Sequence, residues 1–377
     1  MDVISLTKKL LSFNSIYPPG NEEEIARFTG DLLEKYGFHT KYYVYGENRL
    51  HLVAEKGLSS EKAPVVLSGH FDTVPLGNKK WAFDPFAGEV KDGKIWGRGS
   101  SDMKGGLAAM ICASRDAFRE SDPAGGVRLI FTAGEEAGCQ GAQHLTKEMK
   151  NAGSASAIII GEPTSNLPAI GHKGALYLNA VTSGVTAHSS MPELGVNAIY
   201  KAAASILKVM NFRFNAERDP LLGYPTINVG KITGGLNINS VPDHAEFTID
   251  IRTTTKIVHE EILKRLCKEL GKETVIEKMV DLLPVANNEA DPFIQHVYGV
   301  CGIVKSAEAY SKALPYLTDG SVLQKFYNNV PTVILGPGQP EMAHHTDEYC
   351  YLEKLVQAVD IYKNIIKAGD KTNEKVS

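Results

Sequence analysis

A chain of 377 residues with a formal charge of −4, from 40 basic and 44 acidic residues, lacks the basic excess of a nucleic-acid binder. It is too long for one ordinary core, so two domains are expected. No stretch approaches the ~20 apolar residues of a membrane span, the opening MDVISLTKKLLSF is too polar for a signal peptide, and five cysteines without a CxxC fit thiols kept reduced in a cytosol.

The segment NEEEIARFTGDLLEKYGF predicts a helix, with Asn21 as N-cap, acids in the first turn and apolar residues at helical spacing. Short apolar runs follow: PVVLSG (64–69), VRLIFTAG (127–134), SAIIIGE (156–162) and, much later, PTVILGPG (331–338). Such runs, rich in Val, Ile and Leu and ended by Gly or Pro, suit strands buried on both faces of a mostly parallel sheet. GGLAAMICASRDAFRE and the C-terminal YLEKLVQAVDIYKNIIKAG supply covering helices, and KTNEKVS (371–377) reads as a frayed end.

The middle differs. From ALYLNAVTSG (175–184) to ETVIEKMVDL (273–282) the order is strand, helix, strand, strand, helix, strand, the ferredoxin-like βαββαβ pattern. The fold class expected is therefore α/β, with a small domain, 175–283, inserted into a larger one, 1–174 and 284–377. The crossings fall near Gly174 and Pro284.

Each buried strand of the larger domain delivers polar residues past its carboxyl end, where open α/β sheets bind ligands. GHFDTVP carries His70 and Asp72, TAGEEAG carries Glu135 and Glu136, GEPT carries Glu162, and AHHTDE carries His344 and His345. Asp102 lies in the glycine-rich turn IWGRGSSDMKGG before a helix. Carboxylates gathered this way need positive charge, and oxygen and imidazole donors suit Zn²⁺, Mn²⁺ or Co²⁺. The donors outnumber what one tetrahedral zinc can use, so two ions ~3.5–4 Å apart are expected.

SGHFDTVP, GRGSSDMKGG, TAGEEAG, GEPT and AHHTDE, in this order, resemble the metal and catalytic motifs of the M20 metallopeptidase and deacylase family. The resemblance implies a zinc-peptidase-like catalytic domain with a lid and dimerisation domain inserted. It implies that Asp102 bridges two zincs, that His70 and Glu162 complete one site, and that Glu136 and His344 complete the other. His344 is selected over His345 by the family's Ala-His-x-x-Asp/Asn-Glu pattern. Asp72 would accept the His70 imidazole N–H and fix its tautomer. Glu135 would stay off the metals as general base and acid, taking a proton from a water that zinc has acidified.

Within 175–283, GVTAHSSMPELGVNAI resembles the family's lid segment, which implies that His188 reaches the partner subunit's site in a homodimer. GGLNINSVPD and IDIRTT imply Asn239 and Arg252 as substrate contacts, with Arg252 a fork for a carboxylate. In LPYLTDGSV, Thr318 lies where the family contacts substrate backbone. Cys139 reads as a small packing residue. The implied reaction is removal of an acyl group from an N-acyl amino acid in the cytoplasm, of the acetylornithine deacetylase or succinyl-diaminopimelate desuccinylase kind. A dipeptidase or carboxypeptidase using the same centre is the alternative, and a non-catalytic metal-stabilised binding protein a further one.

Overall fold

The computed structural model describes residues 1–150, 153–303 and 310–368, so the KTNEKVS end lies outside the described residues. The chain divides into two compact units. The first holds Met1–Gly171, Asn287–Lys312 and the chain from Thr318 on; the second holds His172–Ala286 and Ala313–Leu317. Among the described residues no helix is long and apolar enough to cross a membrane.

In the first unit a six-stranded sheet runs in the order His39–Gly46, Arg49–Lys56, Val127–Thr132, Val65–His70, Ala157–Ile160, Thr332–Ile334. The last four are mutually parallel, and the first two form an antiparallel hairpin on one edge. The parallel strands are buried at every residue. Continuous burial explains why their sequences are unbroken apolar runs rather than alternating ones. Helix Lys104–Glu120 packs on the sheet and against the C-terminal helix Leu352–Ala368. It buries Leu107, Met110 and Ile111 completely.

Helix Glu22–Lys35 carries Glu22, Glu23 and Glu24 in its first turn, where the helix dipole favours acids. Asn21, expected as its cap, makes no capping bond. Glu22 instead turns inward to Arg49, at 2.5 and 2.8 Å.

The second unit is a four-stranded antiparallel sheet in the order Thr226–Gly234, His244–Thr253, Gly174–Ser183, Thr274–Leu282. Its strands alternate, as His244–Thr253 does between buried and less buried positions, because one face packs on helices and the other does not. Leu176, Leu178, Phe247 and Ile249 meet Ala198, Ala202 and Val209 of helix Ala198–Asn211 and Ile262 and Leu266 of helix His259–Leu270. The boundaries lie two or three residues from the Gly174 and Pro284 expected, and this unit also gathers Ala313–Leu317. The Lys173 amide donates to the Leu314 carbonyl at 3.1 Å, a long-range pairing that sequence spacing does not reveal.

Candidate metal centre

All four parallel strands of the first unit end on the same edge of the sheet, so the residues just past them converge. His70 closes the strand Val65–His70 and is buried. Its Nδ1 bonds the backbone carbonyl of Asp72 at 2.9 Å, which leaves Nε2 to face Asp102 Oδ1 at 3.2 Å and Glu162 Oε1 at 3.6 Å. On the other side of Asp102, His344 Nε2 lies 3.4 Å from Oδ2 and 3.2 Å from Glu136 Oε2. Two donor groups result, His70–Asp102–Glu162 and Asp102–Glu136–His344, each with its ligand atoms within 4.8 Å of one another. Asp102 belongs to both, one oxygen on each side.

The residues present fit a pair of divalent cations. Every donor is a carboxylate oxygen or an imidazole nitrogen. Among the described residues Glu136 Oε1 is buried without a hydrogen-bond partner, a costly position for a carboxylate oxygen unless a cation faces it. The electrostatics agree. Burial, then the Asp102 charge, lifts the Glu162 carboxyl well above the usual carboxylate range, and burial also raises Glu136. Asp102 is held low although burial opposes this, because His344 and His70 both hydrogen-bond it. Bonds to Asp102 and Glu136 raise His344 to about 10. Burial opposes the charging of His70, yet Asp102 and Glu162 raise it well above its ordinary value. A field that favours positive charge on both imidazoles also favours a cation among these carboxylates.

Asp72 departs from its expected part. Its carboxylate stands 3.8 Å from His70 Nδ1, and its backbone carbonyl takes that contact instead. The carboxylate oxygens accept the amide N–H groups of Gly134, Glu135 and Glu136, at 2.8, 3.3 and 3.0 Å. Asp72 thus holds the turn that carries both glutamates. Glu135 is in neither donor group. Burial lifts its carboxyl well above the usual range, against the pull of His70 and with help from Asp319.

Three residues that sequence reasoning left without a role complete this region. Glu348, fully buried, pairs with Arg98 at 2.7 Å and accepts the amides of Gly99, Ser101 and Asp102 at 2.9, 2.8 and 3.0 Å. Arg98 also donates to the carbonyls of His345 and Pro75, so one buried ion pair ties the Asp102 turn to the His344 turn. Asp319 accepts the Thr132 hydroxyl at 2.6 Å, and burial raises its carboxyl to about 6. Glu348 sits inside the AHHTDE motif and Asp319 inside LPYLTDGSV, so both were in view without an assignable partner. Thr318 is buried and its hydroxyl accepts the Gly320 amide at 3.0 Å.

The remaining expected residues lie in the second unit. His188 is exposed, its Nδ1 engaged by Ser190 Oγ at 2.7 Å, so Nε2 is the nitrogen without a partner among the described residues. A bridge between His188 and Ser240 brings exposed Asn239 beside it. Arg252 forks onto Asp250 at 2.8 and 3.2 Å and lies over the Tyr177 ring.

The model of peptidase family M20/M25/M40 matches residues 66–368. A probable succinyl-diaminopimelate desuccinylase of Staphylococcus epidermidis is 33% identical over 92% of this chain and 93% of its own length. An acetylornithine deacetylase of Vibrio parahaemolyticus is 29% identical over 94% and 93%. The crystal structure of the M20 family metallo-carboxypeptidase Sso-CP2 from Sulfolobus solfataricus superposes with a TM-score of 0.82 at 19% identity, over 98% of this chain and 99% of that one, and carries the same fold. The chain belongs to peptidase family M20/M25/M40 and is a hydrolase of amide bonds.

Proposed function

We propose that the first unit is the catalytic domain of a dinuclear amidohydrolase that removes the acyl group from an N-acyl amino acid, of the N-acetylornithine or N-succinyl-diaminopimelate kind. The observation that carries this is the division between adjacent glutamates: Glu136 faces Asp102 and His344, while Glu135 stands outside both donor groups. His70, Asp102 and Glu162 would hold one cation, and Asp102, Glu136 and His344 the other. Two such ions, most plainly zinc, with cobalt or manganese also suited to these donors, supply Lewis acidity and an acidified water.

Glu135 takes the proton of the attacking water and passes it to the departing amine. A carboxyl whose pKa burial has raised suits both halves of that transfer. Asp72 keeps the 134–136 backbone in place, which separates the two carboxylates' tasks. In the second unit, His188 would bring its Nε2 to the oxyanion, with Asn239 beside it. Arg252 would exchange part of its pairing with Asp250 for the substrate carboxylate, and Thr318 would lie under the substrate backbone.

The second unit would serve as lid and dimerisation domain. Leu236 and Ile238 are 96% and 98% exposed, and Tyr200, Leu207 and Met210 of helix Ala198–Asn211 are also exposed, an apolar surface that a second copy would cover. His188 would then act in the partner's site. A cytoplasmic place would suit the reduced-thiol pattern, with all five cysteines free.

The test is amine release from N-acetyl and N-succinyl amino acids beside simple dipeptides, on metal-stripped protein with and without added Zn²⁺. Zinc-dependent turnover of an acyl amino acid is expected. Turnover confined to dipeptides would overturn the substrate class.

A further inference from the structure

Behind Glu135 lie Cys139 and Asp319, two side chains that the reaction above does not use. The backbone turns tightly from Glu135 to Cys139, with the amides of Gly138 and Cys139 both donating to the Glu135 carbonyl at 2.8 Å. Cys139 has φ 57°, and this left-handed turn sends Sγ back to Glu135 Oε1, at 3.4 Å. Asp319 approaches from its own loop. Its Oδ2 is held by Thr132, while Oδ1 is buried and without a hydrogen-bond partner among the described residues. One ligand atom each from Glu135, Cys139 and Asp319 lies within 4.8 Å of the other two, and the cluster shares no residue with the two groups on Asp102.

We propose that Glu135, Cys139 and Asp319 form a third, inhibitory site for a borderline-soft divalent cation of the zinc class. The donor set argues for that class: zinc takes thiolate and carboxylate together, whereas magnesium and calcium take oxygen donors. Asp319 Oδ1, buried and without a hydrogen-bond partner among the described residues, supplies an acceptor that a plain packing cluster would satisfy. Cys139 and Asp319 are 0% and 1% exposed and Glu135 9%, so the glutamate is the open side of the cluster. When the cation binds, the Cys139 thiol loses its proton to solvent and the sulfur becomes the third ligand. Glu135, once a ligand, can no longer accept the proton of the attacking water.

The inhibitory part rests on Glu135 being the general base. Losing a general base costs ~10²–10⁴ in rate, so saturating zinc is expected to lower kcat by at least ~100-fold in a manner that Cys139→Ser relieves.

The experiment adds Co²⁺ to protein already holding two equivalents, and follows the absorption spectrum and amine release together. The expected result is a thiolate-to-cobalt charge-transfer band in the near ultraviolet with the third equivalent. It should be absent in Cys139→Ser and Cys139→Ala and weakened in Asp319→Asn, and activity should fall as it grows. No such band in the wild type, or inhibition unchanged in both cysteine variants, would overturn the site. A band that grows with no fall in amine release would keep the site and remove its inhibitory role, and a protein inactive on every substrate would count against the proposed reaction separately.

Discussion

The Asp72 carboxylate accepts the backbone N–H of Glu136 at 3.0 Å and, with it, the amides of Gly134 and Glu135. A side chain two residues past His70 thus sets the backbone of the turn that bears both Glu135 and Glu136. Asp72→Ala is expected to lower kcat by about 10–100-fold, the usual cost of losing a group that orients ligands. KM should change little. A variant in which KM rises and kcat holds would assign Asp72 to substrate binding instead.

Arg98 and Glu348 form a fully buried pair that also secures the Asp102 amide. Removing one partner leaves a buried charge alone, so Arg98→Met or Glu348→Gln should destabilise the fold by about 3–5 kcal/mol. Urea unfolding midpoints measure this. A loss within ~0.5 kcal/mol would place the pair outside the fold's support.

His51 sits in the strand Arg49–Lys56, fully buried, and its Nδ1 accepts the Ala133 amide at 3.0 Å. Burial, then His144 and Arg49, hold its pKa down to about 3 against an ordinary 6.5. The unfolded chain therefore binds the extra proton first. Its contribution to stability is whole above the unfolded value and is lost as pH falls from 6.5 towards 3. Urea midpoints at about pH 7.5 and about pH 5 should differ less in His51→Gln than in the wild type. Equal differences would assign the acid sensitivity to other groups, such as buried His172, which burial lowers to about 4.

The apolar residues Leu236 and Ile238 give the dimer its test. Leu236→Glu with Ile238→Glu should convert a dimer to a monomer in sedimentation, because two charges would have to be buried in the contact. A wild type that sediments as a monomer at every concentration would remove the dimer and His188's action in the partner's site.

The strand ends were readable because period and composition mark a buried parallel strand, and a crevice must follow its carboxyl edge. His70, Asp102, Glu136, Glu162 and His344 converge for that reason. The Asp72 carboxylate escaped because an i, i+2 spacing does not say whether carbonyl or side chain reaches the imidazole. Arg98–Glu348 joins residues 250 apart in the chain, and Asp319 meets Thr132 from 187 away, and no local pattern records such partners. Asn21 failed as a cap because Glu22 beside it is drawn inward by Arg49, a tertiary contact that outweighs the local preference.

In the proposed reaction Glu136 holds metal and Glu135 moves protons. Metal content and turnover of Glu135→Gln and Glu136→Gln, measured side by side, test it most directly. Glu135→Gln is expected to retain two equivalents of metal and lose turnover, while Glu136→Gln loses an equivalent. Metal lost from Glu135→Gln and kept in Glu136→Gln would contradict it.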